Sequence, residues 1–516
     1  MNYQMFLAVV ALLCLQVVRH VVRADPLAVR MVDDLVTFKQ GFFDDDDNDP
    51  FFSLVAAPEE EHWFQQRIDH LGFYRKTFRQ LYYVNDTYYR PGGPVYLYCP
   101  GESANKISTV KSGFLLNLAE ATNGLVVSLE HRYYGRSNPV PDLSPRNMRY
   151  LSVAQALADM AHFIKTAELP QIEKNRADVR WIVVGGSYAA NLAVWMRLKY
   201  PDLVYAAYSS SGPVRAKYDF YEYDLMVGRR LPCADAVAEA VRQIDEVLYS
   251  GDESAIRDLK TAFGLEALER PADFSGALVD QMTSLVQYYA PPVANKTDAV
   301  ADYCAAFNLN DNMGAGSIGL VESFAALTKR YLAEKKVKVL ETYDTYRNAN
   351  NYTLDQSGRA WFYQTCTEFA YWQTAPPTPA MLSLRSRLVD IDYNEAPCRA
   401  YFGAQVSLPV DVSRINRQYH GDQIEVTRVY YVNGEFDPWR YLSVSAPTAP
   451  PRAPTTPDVH VRVIPGGSHC YDLRRPTDTD WDELKEIRAD IIRTFREWLS
   501  QKNTALLEQD DWESTF

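Results

Sequence analysis

Strand-like and helix-like segments alternate along the chain between residues 81 and 212. In VAQALADMAHFI (153–164) the apolar residues recur at helical spacing, whereas GLVVSLEHRYYG (124–135) contains a continuous apolar run suited to a strand buried on both faces. The predicted strands are 81–86, 94–102, 124–135, 181–186 and 204–212, and the predicted helices are 153–164 and 188–200. Strands that alternate with helices predict a parallel sheet and an α/β fold.

The pattern changes after about Pro213, where helical spacing becomes dominant. Val237, Val241, Ile244 and Leu248 mark one helix, and 322–336 reads as another. Strand character resumes at 428–439 and 459–467, and a last amphipathic helix is expected from about Trp481 to Leu499. The sequence therefore predicts an α/β domain formed by 61–214 and 411–516, with a mostly helical cap domain at 215–410 inserted between its two parts.

The amino terminus carries a targeting pattern. MFLAVVALLCLQVV (5–18) is apolar but too short to span a bilayer comfortably, and small residues precede a cleavage position after Ala24. We interpret 1–24 as a signal peptide, with an N-terminal membrane anchor as the alternative. Residues 25–60 contain FFDDDDNDP (42–50) and are interpreted as an acidic pro-segment or linker. We expect a secreted or vacuolar/lysosomal protein without stable membrane insertion.

Net charge and cysteine content exclude one class of partner and predict covalent modifications. The formal net charge of −13 argues against nucleic acid as a partner, because phosphates require Lys and Arg patches. Six cysteines remain after the leader, which allows up to three disulfides in an oxidising compartment. From their positions we expect Cys366 to pair with Cys398, Cys233 with Cys304, and Cys99 with Cys470. No pair has the close spacing of a zinc site, so neither a metal nor another cofactor is expected. Glycosylation sequons stand at Asn85, Asn295 and Asn351.

The segment WIVVGG-Ser187-YAANLAVW has the strand–turn–helix context of a nucleophilic serine. The usual motif has a second glycine two residues after the serine, and here that position is Ala189. The alternative is that Ser187 merely caps the helix that follows it.

A nucleophilic serine needs a base and an acid, which in this type of fold follow it in the order acid, then histidine. Among His420, His460 and His469, the last lies in a glycine-rich loop just after a predicted strand, where functional side chains are commonly presented. Asp437, at the end of the preceding strand, is the preferred acid, and Glu435 is its rival.

An oxyanion would require backbone N–H donors. We expect one from Tyr188 and another from Gly101 or Glu102 in CPGES (99–103), which we name the oxyanion loop. The alternative for this loop is an ordinary turn.

A set of motifs together resembles the serine peptidase family of lysosomal prolyl carboxypeptidase and dipeptidyl peptidase II, which includes fungal secreted members. The resemblance runs from about Trp63 to Trp498. Its motifs are WFQQRIDH, TFRQLYYVN, PVYLYCPGE, EHRYYGRS, QALADMAHFI, GGSYAANLAVWMRLKYP, QTCTEF, VNGEFDPW and GGSHCYDL. The resemblance implies an α/β-hydrolase fold, a triad of Ser187, Asp437 and His469, a helical cap, and cleavage of peptides after proline.

The resemblance also implies a proline pocket, and here the chain departs from the family. Trp439 matches an aromatic of that pocket, whereas Asn191 and Tyr371 stand where apolar residues are expected. Two other functions remain open, an esterase or lipase on the same fold and an inactive secreted binding protein. The sequence also leaves open which end of a peptide is trimmed and whether the protein forms a homodimer.

Overall fold

The computed structural model describes residues 60–172, 179–292, 297–308, 319–337, 343–354, 356–449 and 458–501. The predicted signal peptide, almost all of the predicted acidic segment, and the sequon at Asn295 lie outside the described residues. In the part of the chain that is described, no helix is long and apolar enough to cross a membrane.

Eight strands form one sheet in the order β1-β2-β4-β3-β5-β6-β9-β10, and two short strands, β7 and β8, pair separately. The strands are β1 His62–Arg67, β2 Thr77–Asn85, β3 Val95–Cys99, β4 Leu125–Leu129, β5 Trp181–Gly186, β6 Val204–Ser210, β7 Lys217–Asp219, β8 Ala370–Trp372, β9 Val429–Gly434 and β10 Val459–Ile464. The large sheet contains every strand predicted from the sequence.

The sheet is mixed rather than purely parallel. β2 is antiparallel to both of its neighbours, β1 and β4, and every other adjacent pair in this sheet is parallel. The predicted parallel sheet is therefore correct for the strands that carry the candidate catalytic residues and wrong at the amino-terminal edge. This strand order, with one reversed strand near the edge and helices on both faces, is the predicted α/β-hydrolase fold.

The predicted helices are also present, and most of the described helices lie between β6 and β9. Apart from the single turn Pro145–Met148, the described helices in chain order are α1 Phe114–Thr122, α2 Val153–Thr166, α3 Tyr188–Lys199, α4 Glu222–Arg230, α5 Ala234–Tyr249, α6 Glu253–Phe263, α7 Pro271–Ala277, α8 Asp280–Gln287, α9 Ala299–Asn308, α10 Leu320–Glu334, α11 Ser357–Gln364, α12 Ile391–Phe402, α13 Val412–Tyr419 and α14 Asp482–Ser500.

Apolar side chains cover both faces of the sheet and form two separate cores. One core joins the sheet to α2, α3 and the helices between β6 and β9, and includes Leu157, Val183 and Leu192. The other core joins the opposite face to α1 and α14, and includes Ile182 and Phe495. Val183 and Ile182 are neighbours in β5, so their side chains point to opposite faces, as the two-residue period of a strand requires. β5 is therefore buried on both faces, and its carboxyl end is held in a fixed position.

A buried ion pair fastens the β1–β2 hairpin to the rest of the domain. The Arg132 guanidinium donates hydrogen bonds to both carboxylate oxygens of Asp159 at 2.6 Å, and also to the carbonyl oxygens of Arg67 and Ile68. His70 lies 2.8 Å from the same carboxylate. Because both charges are buried and surrounded by hydrogen-bond partners, removing one would leave the other unpaired in the core. Arg132 belongs to the motif EHRYYGRS and Asp159 to QALADMAHFI, so these two motifs contribute a structural contact.

Two of the three predicted disulfides are present, Cys233–Cys304 and Cys366–Cys398. The predicted Cys99–Cys470 pair is wrong, since both cysteines are free and buried. Cys99 packs into the core on the α2–α3 face, whereas Cys470 packs into the core on the α1–α14 face. The sheet therefore separates the two thiols, although both residues lie near the same strand ends.

The Asn85 sequon is also a wrong prediction as a glycosylation site. Asn85 is the last residue of β2, and its side chain is buried. Its amide nitrogen donates to the Val110 carbonyl oxygen at 2.6 Å, which leaves no room for a sugar at that atom. Asn351, in contrast, is half-buried and directly follows a turn, and its glycosylation stays a prediction.

Candidate active site

Ser187 stands at the sharp turn between β5 and α3. Its backbone has φ 56° and ψ −129°, a conformation that non-glycine residues rarely adopt and that stores strain. A cap residue normally lies in the extended region instead, and the Ser187 side chain makes no capping hydrogen bond. The geometry is therefore that of a nucleophile elbow, which exposes the side chain above the end of the strand.

The missing second glycine is explained by the neighbours of Ala189. A Cβ on Gly185 would lie 2.2 Å from the Ala189 carbonyl oxygen, so glycine is required at position 185 for the close approach of strand and helix. The Ala189 methyl itself faces Gly101, where an added Cβ would lie 3.2 Å from it. Alanine is accommodated at 189 because the facing position in the oxyanion loop has no side chain.

His469 and Asp437 are hydrogen-bonded as predicted for a base and its orienting acid. The His469 Nδ1–H donates to Asp437 Oδ1 at 2.9 Å, and the Trp439 backbone N–H donates to the same oxygen at 2.9 Å. Asp437 follows the end of β9, His469 follows β10, and both are fully buried. A carboxylate in this position holds the imidazole ring and fixes which of its nitrogens carries the proton.

The electrostatics of this pair favour a charged imidazolium. Burial disfavours the charged form, but the Asp437 carboxylate outweighs burial and raises the pKa of His469 above its usual value of 6.5. The arrangement can therefore stabilise the proton that His469 receives when a serine hydroxyl is deprotonated.

The rejected candidates have other contacts. Glu435 accepts a hydrogen bond from the Gly466 backbone N–H at 2.8 Å. His460 stacks on the Tyr430 ring, with centroids 5.1 Å apart. His420 is exposed at the end of α13. None of these described contacts involves Ser187.

Ser187 and His469 line the same cavity, which has a volume of about 720 Å³ including its open mouth. Its wall also contains Glu102 and Lys106, from the segment that follows β3, and Tyr288, from the segment after α8. Lys106 and Tyr288 were not identified from the sequence, because neither lies in a catalytic motif. The structure therefore brings the predicted nucleophile, base and oxyanion loop to one solvent-connected space.

Of the predicted oxyanion donors, Glu102 lines this cavity, whereas Gly101 and Tyr188 are the chain neighbours of the lining residues Pro100 and Ser187. Tyr188 is the first residue of α3, so its N–H has no partner within the helix. Gly101 adopts φ 72°, a value that favours glycine. Burial raises the pKa of the Cys99 thiol to about 12, and a hydrogen bond from the Gly101 N–H opposes this effect. The choice between Gly101 and Glu102 as the second donor stays a prediction.

The Tyr188 side chain is held by a buried polar network. Gln364 Nε2 donates to the Tyr188 hydroxyl at 2.9 Å, and His131 Nε2 lies 3.2 Å from it. Tyr134 donates to the other amide atom of Gln364 at 2.6 Å. Burial lowers the pKa of His131 to about 4, so its ring stays neutral above that pH. These contacts explain parts of the EHRYYGRS and QTCTEF motifs and fix the start of α3.

The three predicted pocket residues lie together but away from the cavity. The Trp439 and Tyr371 rings are in edge contact, with centroids 5.3 Å apart. The Tyr371 hydroxyl and the Asn191 amide both donate to the Pro213 carbonyl oxygen, at 2.6 Å and 3.0 Å. None of the three is among the described residues that line the cavity of Ser187. Trp439 and Tyr371 pack into the core on the α2–α3 face of the sheet.

Gln287 links this group of residues to the cavity wall, and the sequence did not indicate it. Its Oε1 accepts hydrogen bonds from Trp439 Nε1 at 3.0 Å and from the Tyr223 hydroxyl at 2.5 Å, and its Nε2 donates to the Tyr288 hydroxyl at 2.7 Å. Its carbonyl oxygen accepts from the His469 backbone N–H at 3.1 Å. Gln287 ends α8, about 100 residues from any catalytic motif, so no local sequence signal marks it.

Comparison with known proteins agrees with this geometry. Residues 66–491 match the family described as serine carboxypeptidase S28. The chain is 31% identical over 470 residues to a protein named probable extracellular serine carboxypeptidase from Arthroderma benhamiae, covering 82% of this chain and 64% of that protein. It is 31% identical over 488 residues to the thymus-specific serine protease of Mus musculus, covering 89% and 92% of the two chains. The chain thus spans slightly less than two thirds of the fungal relative and nearly all of the mouse one.

Proposed function

The chain belongs to the serine carboxypeptidase S28 family of serine peptidases, and we propose that it is an exopeptidase that cleaves peptides after proline with a Ser187–His469–Asp437 triad. The observation that carries the proposal is the position of Ser187 and His469 on one cavity wall. Asp437 accepts a hydrogen bond from Nδ1 of the same histidine. The helices of residues 215–410 would act as a cap that limits access to short peptides or chain ends.

In this mechanism His469 Nε2 accepts the Ser187 hydroxyl proton as the oxygen attacks the scissile carbonyl carbon. The N–H group of Tyr188 and that of Gly101 or Glu102 stabilise the resulting oxyanion, and Asp437 stabilises the imidazolium while remaining ionised. His469 then donates its proton to the leaving nitrogen, which leaves an acyl-enzyme on Ser187. Water, activated by the neutral His469, hydrolyses the ester and restores the enzyme.

The proposed proline preference rests on the aromatic group around Trp439. Phe220, Tyr223 and Tyr371 pack around its indole ring, with centroid distances of 5.3 to 5.6 Å. A proline ring loses no rotamer entropy when it is buried against such a surface. Ala370 and Tyr371 both have positive φ, 54° and 60°, and backbone strain of this kind is concentrated at functional positions.

Asn191 should weaken this preference relative to a fully apolar pocket. Its Nδ2 donates to the Pro213 carbonyl oxygen, but its buried Oδ1 has no hydrogen-bond partner among the described residues, so its cost is an unpaired polar atom near the proposed pocket. We therefore expect proline first and alanine second before the scissile bond.

Ser187→Ala tests the nucleophile. The variant should fold normally and lose turnover by roughly 10⁶-fold, because members of a triad act as a unit. A fluorophosphonate probe should label the wild-type protein at Ser187 and the variant at no position. Labelling of a different serine, or near-normal turnover by the variant, would exclude the proposed triad.

Trp439→Ala tests the pocket. It should reduce kcat/KM for substrates with proline before the scissile bond far more than for those with alanine, because a larger apolar contact is lost. Equal losses for both substrates would make Trp439 a purely structural residue. A short-chain ester assayed in parallel separates the peptidase from the esterase or lipase alternative.

The proposed location is the secretory pathway, with release from the cell or delivery to a vacuole or lysosome. Two disulfides support an oxidising compartment. A relative whose name describes it as extracellular points the same way.

A further inference from the structure

Arg230, the last residue of α4, contacts two aromatic rings that come from different parts of the chain. Its guanidinium carbon lies 4.1 Å from the centroid of the Tyr289 ring and 5.5 Å from that of the Phe436 ring. The guanidinium is also 3.5 Å from Asp298, and the Tyr289 hydroxyl donates to the same carboxylate oxygen at 2.8 Å. We name these four residues the Arg230 cluster. Because Arg230 is half-buried, its charge is attracted to both rings and restricts their relative movement.

Two members of the Arg230 cluster adjoin the acid and the base of the proposed triad. Phe436 immediately precedes Asp437 in the sequence. The Tyr289 carbonyl oxygen accepts a hydrogen bond at 2.6 Å from the hydroxyl of Ser468, which immediately precedes His469. The acid and the base belong to separate loops, after β9 and after β10. A single cation that contacts both Phe436 and Tyr289 therefore connects the two loops.

The cluster is anchored in the helices between β6 and β9. Cys233 stands three residues after Arg230 and forms a disulfide with Cys304, which lies in α9. Asp298 immediately precedes α9, and its second carboxylate oxygen accepts hydrogen bonds from two backbone N–H groups in the first turn of that helix, at 2.8 Å and 3.3 Å. The disulfide therefore joins the segment that carries Arg230 to the helix that Asp298 caps. Arg230 thus contacts the two loops from a covalently fixed position.

The relative position of acid and base controls the rate of the proposed reaction. His469 must move a proton between Ser187 and the leaving group while Asp437 holds its ring. A misplacement of about 1 Å can lower the rate roughly 100-fold, even when its cause lies away from the reacting atoms. Arg230 is not among the described residues that line the cavity. A residue that holds the two loops without lining the cavity should affect kcat more than KM.

We propose that Arg230 is a positioning residue, which aligns His469 with Asp437 through its contacts with Tyr289 and Phe436. This inference rests on the proposed function and adds a residue outside all of the motifs found in the sequence. The helices of residues 215–410 then have a second role beside limiting access to the cavity. They hold the two loops of the catalytic pair in register.

The test is Arg230→Met, which removes the guanidinium and keeps an unbranched side chain. A fluorophosphonate should label Ser187 roughly 10- to 100-fold more slowly than in the wild-type protein. For a peptide with proline before the scissile bond, kcat should fall by a similar factor and KM should change by less than about threefold. Arg230→Lys should recover most of the labelling rate, because an ammonium group can also lie over an aromatic ring.

The pH profile of labelling distinguishes alignment from a general loss of stability. The Asp437 carboxylate raises the pKa of His469, so poorer alignment should lower that pKa and move the acid limb to lower pH. Loss of the Arg230 charge alone would act in the opposite direction, because the imidazolium forms more easily when a nearby cation is removed. Partial unfolding would reduce the amount of labelled protein and leave the acid limb in place. The other titratable groups near the pair are unchanged in this variant, namely Cys470, Glu102, Lys106, Tyr288, Tyr223 and Arg440.

Arg229→Met is the matched control. Arg229 is the preceding residue of α4, is exposed, and makes none of the described contacts of the Arg230 cluster. It should change neither the labelling rate nor the acid limb. Phe436→Leu is a second variant, because it removes one of the two rings and keeps an apolar side chain. Its acid limb should move in the same direction as that of Arg230→Met, and it decides the question if Arg230→Met does not fold.

The outcomes separate the inference from the proposed function. Slower labelling with an acid limb at lower pH, together with an unchanged Arg229→Met, supports the positioning role of Arg230. Labelling at the wild-type rate, or an acid limb that stays in place or moves to higher pH, overturns this role and leaves the triad in place. A wild-type protein that is not labelled at Ser187 and does not cleave the peptide overturns the proposed function itself.

Discussion

Asp437→Asn gives the sharpest test of the acid assigned to the triad. Asp437 is completely buried, and its Oδ1 accepts hydrogen bonds from His469 Nδ1 and the Trp439 N–H, each at 2.9 Å. Asparagine has nearly the same shape and can retain both contacts through its own Oδ1. The substitution therefore removes a charge from the site while changing its packing very little.

The expected loss follows from that charge. Without the carboxylate, the imidazolium that forms during attack by Ser187 has no buried counter-charge, and the opposite tautomer of His469 becomes accessible. We expect kcat to fall by roughly 10⁴-fold, which corresponds to about 5.4 kcal/mol of transition-state stabilisation. KM should change little, because Asp437 does not contact the substrate.

The pH profile supplies an independent readout. Burial lowers and the Asp437 carboxylate raises the pKa of His469, with a net shift above the usual value of 6.5. Activity requires the neutral ring, so kcat/KM of the wild-type enzyme should rise as the pH increases through that raised pKa. In Asp437→Asn the opposing carboxylate is absent, and the acid limb of the residual activity should move to lower pH.

Glu435→Gln is the control, since it also replaces a carboxylate by an amide, in the rival acid two residues before Asp437. It should keep activity within a few-fold of wild type, because Glu435 contacts the Gly466 N–H rather than His469. Thermal unfolding of both variants checks that each one is folded. The acid assignment is refuted if Asp437→Asn retains kcat within about tenfold of wild type, or if Glu435→Gln loses as much.

Three further outcomes are expected. Gln287→Leu should lower kcat/KM and Tm together, because it leaves the buried N–H of Trp439 without its acceptor, which costs about 1–3 kcal/mol of folding free energy. Unchanged kinetics would show that Gln287 does not support the active site. Burial raises the pKa of Asp159, but Arg132 and its hydrogen bonds lower it below 3.8 overall. This carboxylate therefore stabilises the fold above pH 3.8, and the stabilisation is lost as the pH falls through the lowered pKa. The free energy of unfolding of Asp159→Asn should depend less on pH in this acid range. Alkylation of denatured, unreduced protein should modify Cys99 and Cys470, and finding them joined would contradict the structure.

The local sequence pattern was sufficient to predict most strands of the sheet and several of its helices. Elements of the sheet and its helices could be predicted because each is defined by residues within about 15 positions of one another, through a period of two or of about 3.6. The candidates for the proposed triad could be found for a related reason. Ser187, Asp437 and His469 each lie within five residues of the end of a strand, so locating the strands narrowed the search for these residues.

Contacts between segments far apart in the sequence could be seen only in the tertiary structure. The antiparallel edge and the separation of Cys99 from Cys470 depend on which strand lies beside which and on which face a side chain points to. A one-residue change of phase reverses that face, so sequence distance does not reveal it. Gln287 and Lys106 reach the active site from segments without catalytic motifs. Their positions follow from the packing of the whole chain, since hydrogen bonding and burial are satisfied jointly by residues far apart in sequence.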